Sequence, residues 1–167
     1  MDDIGRFMRE QRVRDVVLQS CMHLNAGEWD RFLALCDAPR FAYSIVNYSP
    51  EIKKMQTWMT QDHAGLSKLF ALLPKHNSDR ARLTRHVTPY AVTPAEEADR
   101  YDVTSHVTIY RTEWDAEDSH LHSGATSLYV IATLRDRVAV DNDRALLERR
   151  VVDLETRQVG IGSHHIL

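Results

Sequence analysis

The chain has 167 residues, 43 % of them apolar and 27 % charged, with a formal net charge of −3. That length carries one domain with its own core, and the charge excludes the basic footprint of a nucleic-acid or anionic-membrane binder. No apolar run nears the roughly 18 residues that cross a bilayer, MDDIGRFMRE is no secretion signal, and Cys21 and Cys36 read as free thiols. The expectation is one cytoplasmic domain spanning 1–167.

In chain order, Phe7, Val13, Val16, Val17, Cys21 and Leu24 recur at helical steps and predict a helix from about Ile4 to Leu24. Asn25-Ala26-Gly27 stops it, with Gly27 suited to a left-handed cap. Trp29, Phe32, Leu33 and Cys36 mark a short second helix that closes before Pro39. Phe41, Tyr43 and Ile45 alternate with Ala42, Ser44 and Val46, as in a strand. Ser49-Pro50-Glu51 reads as a helix start, opening a third helix through Met55, Trp58, Met59, Leu66, Leu69, Phe70 and Leu73, bent at Gly65 and ended by Pro74.

Beyond Pro74 the period changes to alternation. Arg82 to Tyr90 reads as a polar-rich strand, Thr93 to Glu97 as a turn, and Tyr101 to Thr112 as a strand with Tyr101, Val103, Val107 and Ile109 on one face. An acidic loop at Trp114 to Asp118 follows. Two further strands joined by a charged hairpin then fill Ser127 to Leu154, before a tail ending on Ile166-Leu167. Helices first and antiparallel strands afterwards define an α+β domain with helices on one face of the sheet.

Several constellations could carry chemistry. Cys21-Met22-His23 has the spacing of half an iron–sulfur ligand set, but Cys36 is followed by Asp37, Ala38 and Pro39 instead of a second Cys-x-x-His pair. On a helix, residues two apart also diverge by about 200°, so a core cysteine beside an edge histidine is the simpler account. His120 and His122 flank the acidic loop, and His164-His165 point to opposite faces if extended, so neither pair builds a metal site. Gly160-Ile161-Gly162 lacks the third glycine and the following helix of a dinucleotide loop. His86, His106 and Asp37, with Tyr43 and Tyr110, could line a pocket for proton abstraction beside a carbonyl, the chemistry of a dehydratase or isomerase. A binding module without turnover is a third possibility. Glu148-Arg149-Arg150 and Asp153 read as cross-strand charge pairs; Arg149 and Arg150 face opposite sides, so one of them is available to another chain.

Four segments, in order, resemble the small (beta) subunits of Rieske-type ring-hydroxylating oxygenases. They are Leu24 to Leu35 (LNAGEWDRFLAL), Thr84-Arg85-His86-Val87 with Ser105 to Thr112 (SHVTIYRT), Leu147 to Leu154 (LERRVVDL), and Gly162 to Leu167 (GSHHIL). The strand at Phe41 to Val46 lacks the Tyr-x-x-Pro ending of the family, and Ser49 to His76 is rich in Met and Trp, features of a divergent branch that oxidises small sulfonates. The resemblance implies a cystatin-like, NTF2-like cone, a strongly curved and mainly antiparallel sheet around a long N-terminal helix. It also implies a partner: a large (alpha) subunit holding a [2Fe–2S] Rieske cluster and a mononuclear iron, three large chains with three small ones, fed by NADH. This chain would hold no cofactor or metal and would brace the assembly. Arg111, Trp114, Arg149, Arg150, Ile166 and Leu167 are the expected interface residues.

Overall fold

A computed structural model describes residues 3–76, 81–113, 124–141, 144–157 and 166–167, the side chains of Lys75 and His76 excepted. Helix α1 (Asp3–Ala26) and the short α2 (Trp29–Ala34) precede strands β1 (Ala42–Ser49) and β2 (Lys54–Asp62). Helix α3 (His63–His76) leads to β3 (Arg82–Pro94), β4 (Arg100–Thr112), β5 (Thr126–Asp141) and β6 (Arg144–Leu154). The strands form one six-stranded sheet in the order β2-β1-β6-β5-β4-β3. All neighbours pair antiparallel except β1 and β6, which run parallel.

Helix α1 lies across the sheet, packing on β3, β4, β5 and β6 through Val13, Val16, Val17, Ser20, Cys21 and Leu24. Its end is a Schellman turn. The Glu28 N–H donates to the His23 carbonyl at 2.9 Å and Gly27 N–H to Leu24 at 3.3 Å, with Gly27 at φ +69°. Phe7, expected on the buried stripe, is exposed, because the arc facing the sheet begins at Val13. The sheet's inner face supplies Tyr43 and Ile45, Val103, Val107 and Ile109, Val130, Ala132 and Leu134, and Val152 and Leu154. One end is closed by aromatics, with Trp29 stacked on Phe70 at 4.8 Å and Phe32 edge-on to both Phe41 and Phe70. Register shifts interrupt every antiparallel pair, and each adds twist or bend.

The stretch after Ser49 departs from its helical expectation. Pro50 to Lys53 form a turn, with Lys53 at φ 51°, and Lys54–Asp62 folds back as an edge strand on β1. The Ser49 hydroxyl donates to Glu51 at 2.7 Å instead of capping a helix. The true cap is Asp62, whose carboxylate accepts the Gly65 N–H at 2.7 Å, so Gly65 lies in a first turn and marks no bend. Pairing with β1 outweighs the helical spacing of Met55, Trp58 and Met59. Pro74 sits in the last turn of α3, which continues to His76. Strand β3 runs four residues beyond Tyr90; as an edge strand it tolerates Pro89 and Pro94, with a register shift after Pro89.

Candidate functional site

The interior is polar where a simple core would be oily. Asp136 on β5 and Arg150 on β6 are register partners, and both side chains are fully shielded from solvent. Arg150 grips Asp136 with both arms, Nε to Oδ1 at 2.8 Å and Nη2 to Oδ2 at 2.9 Å. Burial alone would lower the Arg150 pKa; the charge and hydrogen bonds of Asp136 outweigh it and push it up. Tyr43, on the neighbouring strand β1, lies opposite Arg150. Burial pushes its phenol up to about 12. The Tyr43 hydroxyl donates to the Leu167 carbonyl and accepts the Leu167 N–H, each at 3.1 Å. Cys36, beside the same pair, is pushed up to about 12 by burial, and Cys21 is equally enclosed.

Arg85 enters from β3 and is held by Asn25 at the end of α1. The Asn25 side chain accepts the Arg85 N–H at 2.8 Å and Nη1 at 3.2 Å, and donates to the Arg85 carbonyl at 3.1 Å. Arg85 Nη2 donates to the Ile166 carbonyl. Ile166 and Leu167 are therefore buried inside the fold, against the expectation that they join another chain. Arg150 is corrected in the same way, since its guanidinium belongs to the core. Strand parity carries the reason: Arg150 shares its face with Val152 and Leu154, which point inward.

The remaining residues do not converge. His86 and His106 are exposed on the face of β3 and β4 that points away from α1, where His86 meets Tyr110 edge-on at 5.5 Å and His106 meets Tyr90 at 4.7 Å. Asp37 lies before β1 with its N–H on the Leu147 carbonyl, and β1 and β3 are separated in the sheet by β6, β5 and β4. An acid–base pocket built from His86, His106 and Asp37 is thus not formed. His23 accompanies Cys21 only in sequence; its Nδ1 lies 2.7 Å from Glu28 at the helix edge, and that bond draws the Glu28 pKa down.

Of the expected contact residues, Arg149 stays exposed, 3.9 Å from Asp102, and Arg111 is half-buried against Glu113. Trp114, His120, His122, Gly160 to Gly162, His164 and His165 lie outside the described residues. Glu148 is nearly buried between Arg40 (3.0 Å) and Arg100 (2.9 Å), beside a surface cavity of about 460 Å³ that those arginines line with Glu97 and Ala98. Asp153 pairs with Arg135 at 2.8 Å. On α1, Ile4, Phe7, Met8, Leu18 and Met22 are exposed on the side away from the sheet. That is a second apolar stripe on one helix, and sequence reasoning missed it.

A helix-backed, open sheet of this order is an NTF2-like, cystatin-like α+β fold. A solved NTF2-like protein with a cystatin-like fold from Novosphingobium aromaticivorans matches with TM-score 0.64 at 13 % identity, covering 92 % of this chain and 86 % of that one. A beta subunit ascribed to an aromatic-ring-hydroxylating dioxygenase of the same organism matches at TM-score 0.76 and 14 % identity, with 95 % of each chain covered. No protein-family model matches the chain. Curated relatives narrow the class. Methanesulfonate monooxygenase hydroxylase subunit beta of Methylosulfonomonas methylovora is 35 % identical over 152 residues, 91 % of this chain and 83 % of the relative. The 2-aminobenzenesulfonate 2,3-dioxygenase subunit beta of an Alcaligenes species is 30 % identical over 141 residues, 84 % and 87 % of the two chains. The chain belongs to the family of oxygenase beta subunits.

Proposed function

We propose that this chain is the non-catalytic small subunit of a multicomponent, NADH-dependent Rieske non-haem iron oxygenase, acting on a small sulfonate or an aromatic ring, in which it braces a larger catalytic chain. The observation that carries the reading is identity at 35 % along 91 % of the chain with a hydroxylase beta subunit. The dispersal of His86, His106 and Asp37 supports it against a free-standing dehydratase or isomerase of the same fold. The exposed apolar stripe of α1 supports it further, since a row of large apolar side chains in water marks a surface that another chain covers. In this reading the [2Fe–2S] cluster and the mononuclear iron belong to the large subunit, three large and three small chains assemble in the cytoplasm, and exposed Arg149 and half-buried Arg111 lie at the contact. No helix among the described residues is long and apolar enough to cross a membrane.

The test is co-expression with a neighbouring gene encoding Cys-x-His and Cys-x-x-His pairs. The two chains should co-elute as one species carrying iron, and Phe7→Asp with Leu18→Asp should break the co-elution while leaving the isolated chain's melting temperature within a few degrees. Separate elution of the wild-type chains, or iron bound stoichiometrically by this chain alone, would refute the reading.

A further inference from the structure

Ile166 and Leu167 enter the cone as a ligand would. Each is 4 % exposed, and their main chain is bonded by side chains instead of by a neighbouring strand. The Arg85 guanidinium donates to the Ile166 carbonyl. The Tyr43 hydroxyl accepts the Leu167 N–H and donates to the Leu167 oxygen, each at 3.1 Å. Tyr43 and Arg85 stand on β1 and β3, with three strands between them in the sheet, so the two residues bridge the interior. In the 167-residue chain Leu167 also carries the α-carboxylate, and the oxygen held by Tyr43 belongs to it. Charge balance gives that group a partner. Arg150 is neutralised by Asp136, whereas no side-chain carboxylate among the described residues pairs with Arg85, which Asn25 clamps in place. A guanidinium keeps its proton on burial. That of Arg85 is bonded to the residue next to the carboxylate, and its shielded Nε has no acceptor among the described residues. A buried cation and a buried carboxylate are each strongly unfavourable alone and offset one another as a pair.

We propose that the cone interior is a binding site for a peptide C-terminus, filled by the chain's own Ile166-Leu167. Tyr43 and Arg85 hold the main chain, Arg85 is the counter-ion of the α-carboxylate, and the apolar core takes the two aliphatic side chains. The ligand class is a peptide ending on two aliphatic residues with a free carboxylate. The site is independent of any oxygenase partner.

The full chain is made by ligating a synthetic terminal segment that ends in the acid or in the isosteric carboxamide. The amide chain melts lower by about 5–10 °C, and Arg85→Met removes the difference between the two. Should Arg85→Met not fold, a second reading decides, with the chain ending at residue 161 and the hexapeptide of residues 162–167 added as acid or amide. The acid binds roughly tenfold or more tightly than the amide. Where the shortened chain does not fold alone, the acid restores its fold at a concentration at which the amide does not. Equal melting of the acid and amide chains, a difference that survives Arg85→Met, or a hexapeptide acid that does no better than the amide would overturn the site.

Discussion

Asp136 and Arg150 face each other across β5 and β6, both side chains shielded from solvent. An internal pair of this kind adds little over a well-packed apolar pair, but breaking it is costly, because the survivor is left charged in the core. Asp136→Asn should therefore lower unfolding stability by about 3–5 kcal/mol, read by urea denaturation. The double change Asp136→Leu with Arg150→Met should recover most of that loss. Glu51 offers a contrasting surface case. The Ser49 hydroxyl, and after it the Glu51 backbone N–H and Arg157, hold its carboxyl down at about 2 against an ordinary 4.5. A depressed acid stabilises the fold above its unfolded pKa and loses that contribution as pH falls through the folded one. The window is pH 4.5 down to about 2, and the Glu51 carboxyl resonance should titrate at its lower end. Ser49→Ala should move that midpoint upward; an unmoved midpoint would remove the hydroxyl from the account. At this scale the opposite facing of Arg149 and Arg150 was legible from strand parity. Which of them is buried was legible as well, since Val152 and Leu154 set the inward phase, but a lone arginine reads as surface until Asp136 is seen opposite it.

Helix and strand boundaries divide by whether local or distant contacts decide them. The α1 stop is local. Gly27 adopts φ +69°, and a Cβ there would meet Trp29 at an ordinary 3.8 Å, so the penalty for a side chain is conformational and not steric. Gly27→Ala should cost about 1–2 kcal/mol, measured as a fall in unfolding free energy, with Gly27→Asn losing less because asparagine tolerates the left-handed region. The β4 and β5 strands were legible for the same local reason, an alternation of inward apolar residues that Ser105 interrupts in β4 and the apolar run Leu128 to Ala132 blurs in β5. Strand β2 was not. Met55, Trp58 and Met59 are spaced as on a helix, and only register with β1, with Trp58 unpaired at the shift and its indole N–H on Asn47 at 2.7 Å, makes them a strand. The outer apolar stripe of α1 escaped notice because the inner stripe already accounted for a helix.

For the whole molecule, the order of helices then strands led to the α+β class, and four short segments led to the family. The expected interface was partly misplaced. A tail ending on Ile166-Leu167 looks like a sticky end in a linear reading, but the cone offers it Tyr43 and Arg85, and these are brought together only by folding. Cys36, held as a thiol by burial, should resist a disulfide reagent at pH 8 until the chain unfolds, with Cys21 equally shielded. Fast labelling of the native chain would show that the cone opens.

The central claim is that this subunit supplies structure and no reacting group. Its most direct test is turnover by the assembled oxygenase, per iron, with the small subunit carrying His86→Ala, His106→Ala and Asp37→Ala together. The account predicts turnover within about twofold of wild type at equal assembly; a thousand-fold loss with the complex intact, the scale of removing an acid–base group, would contradict it.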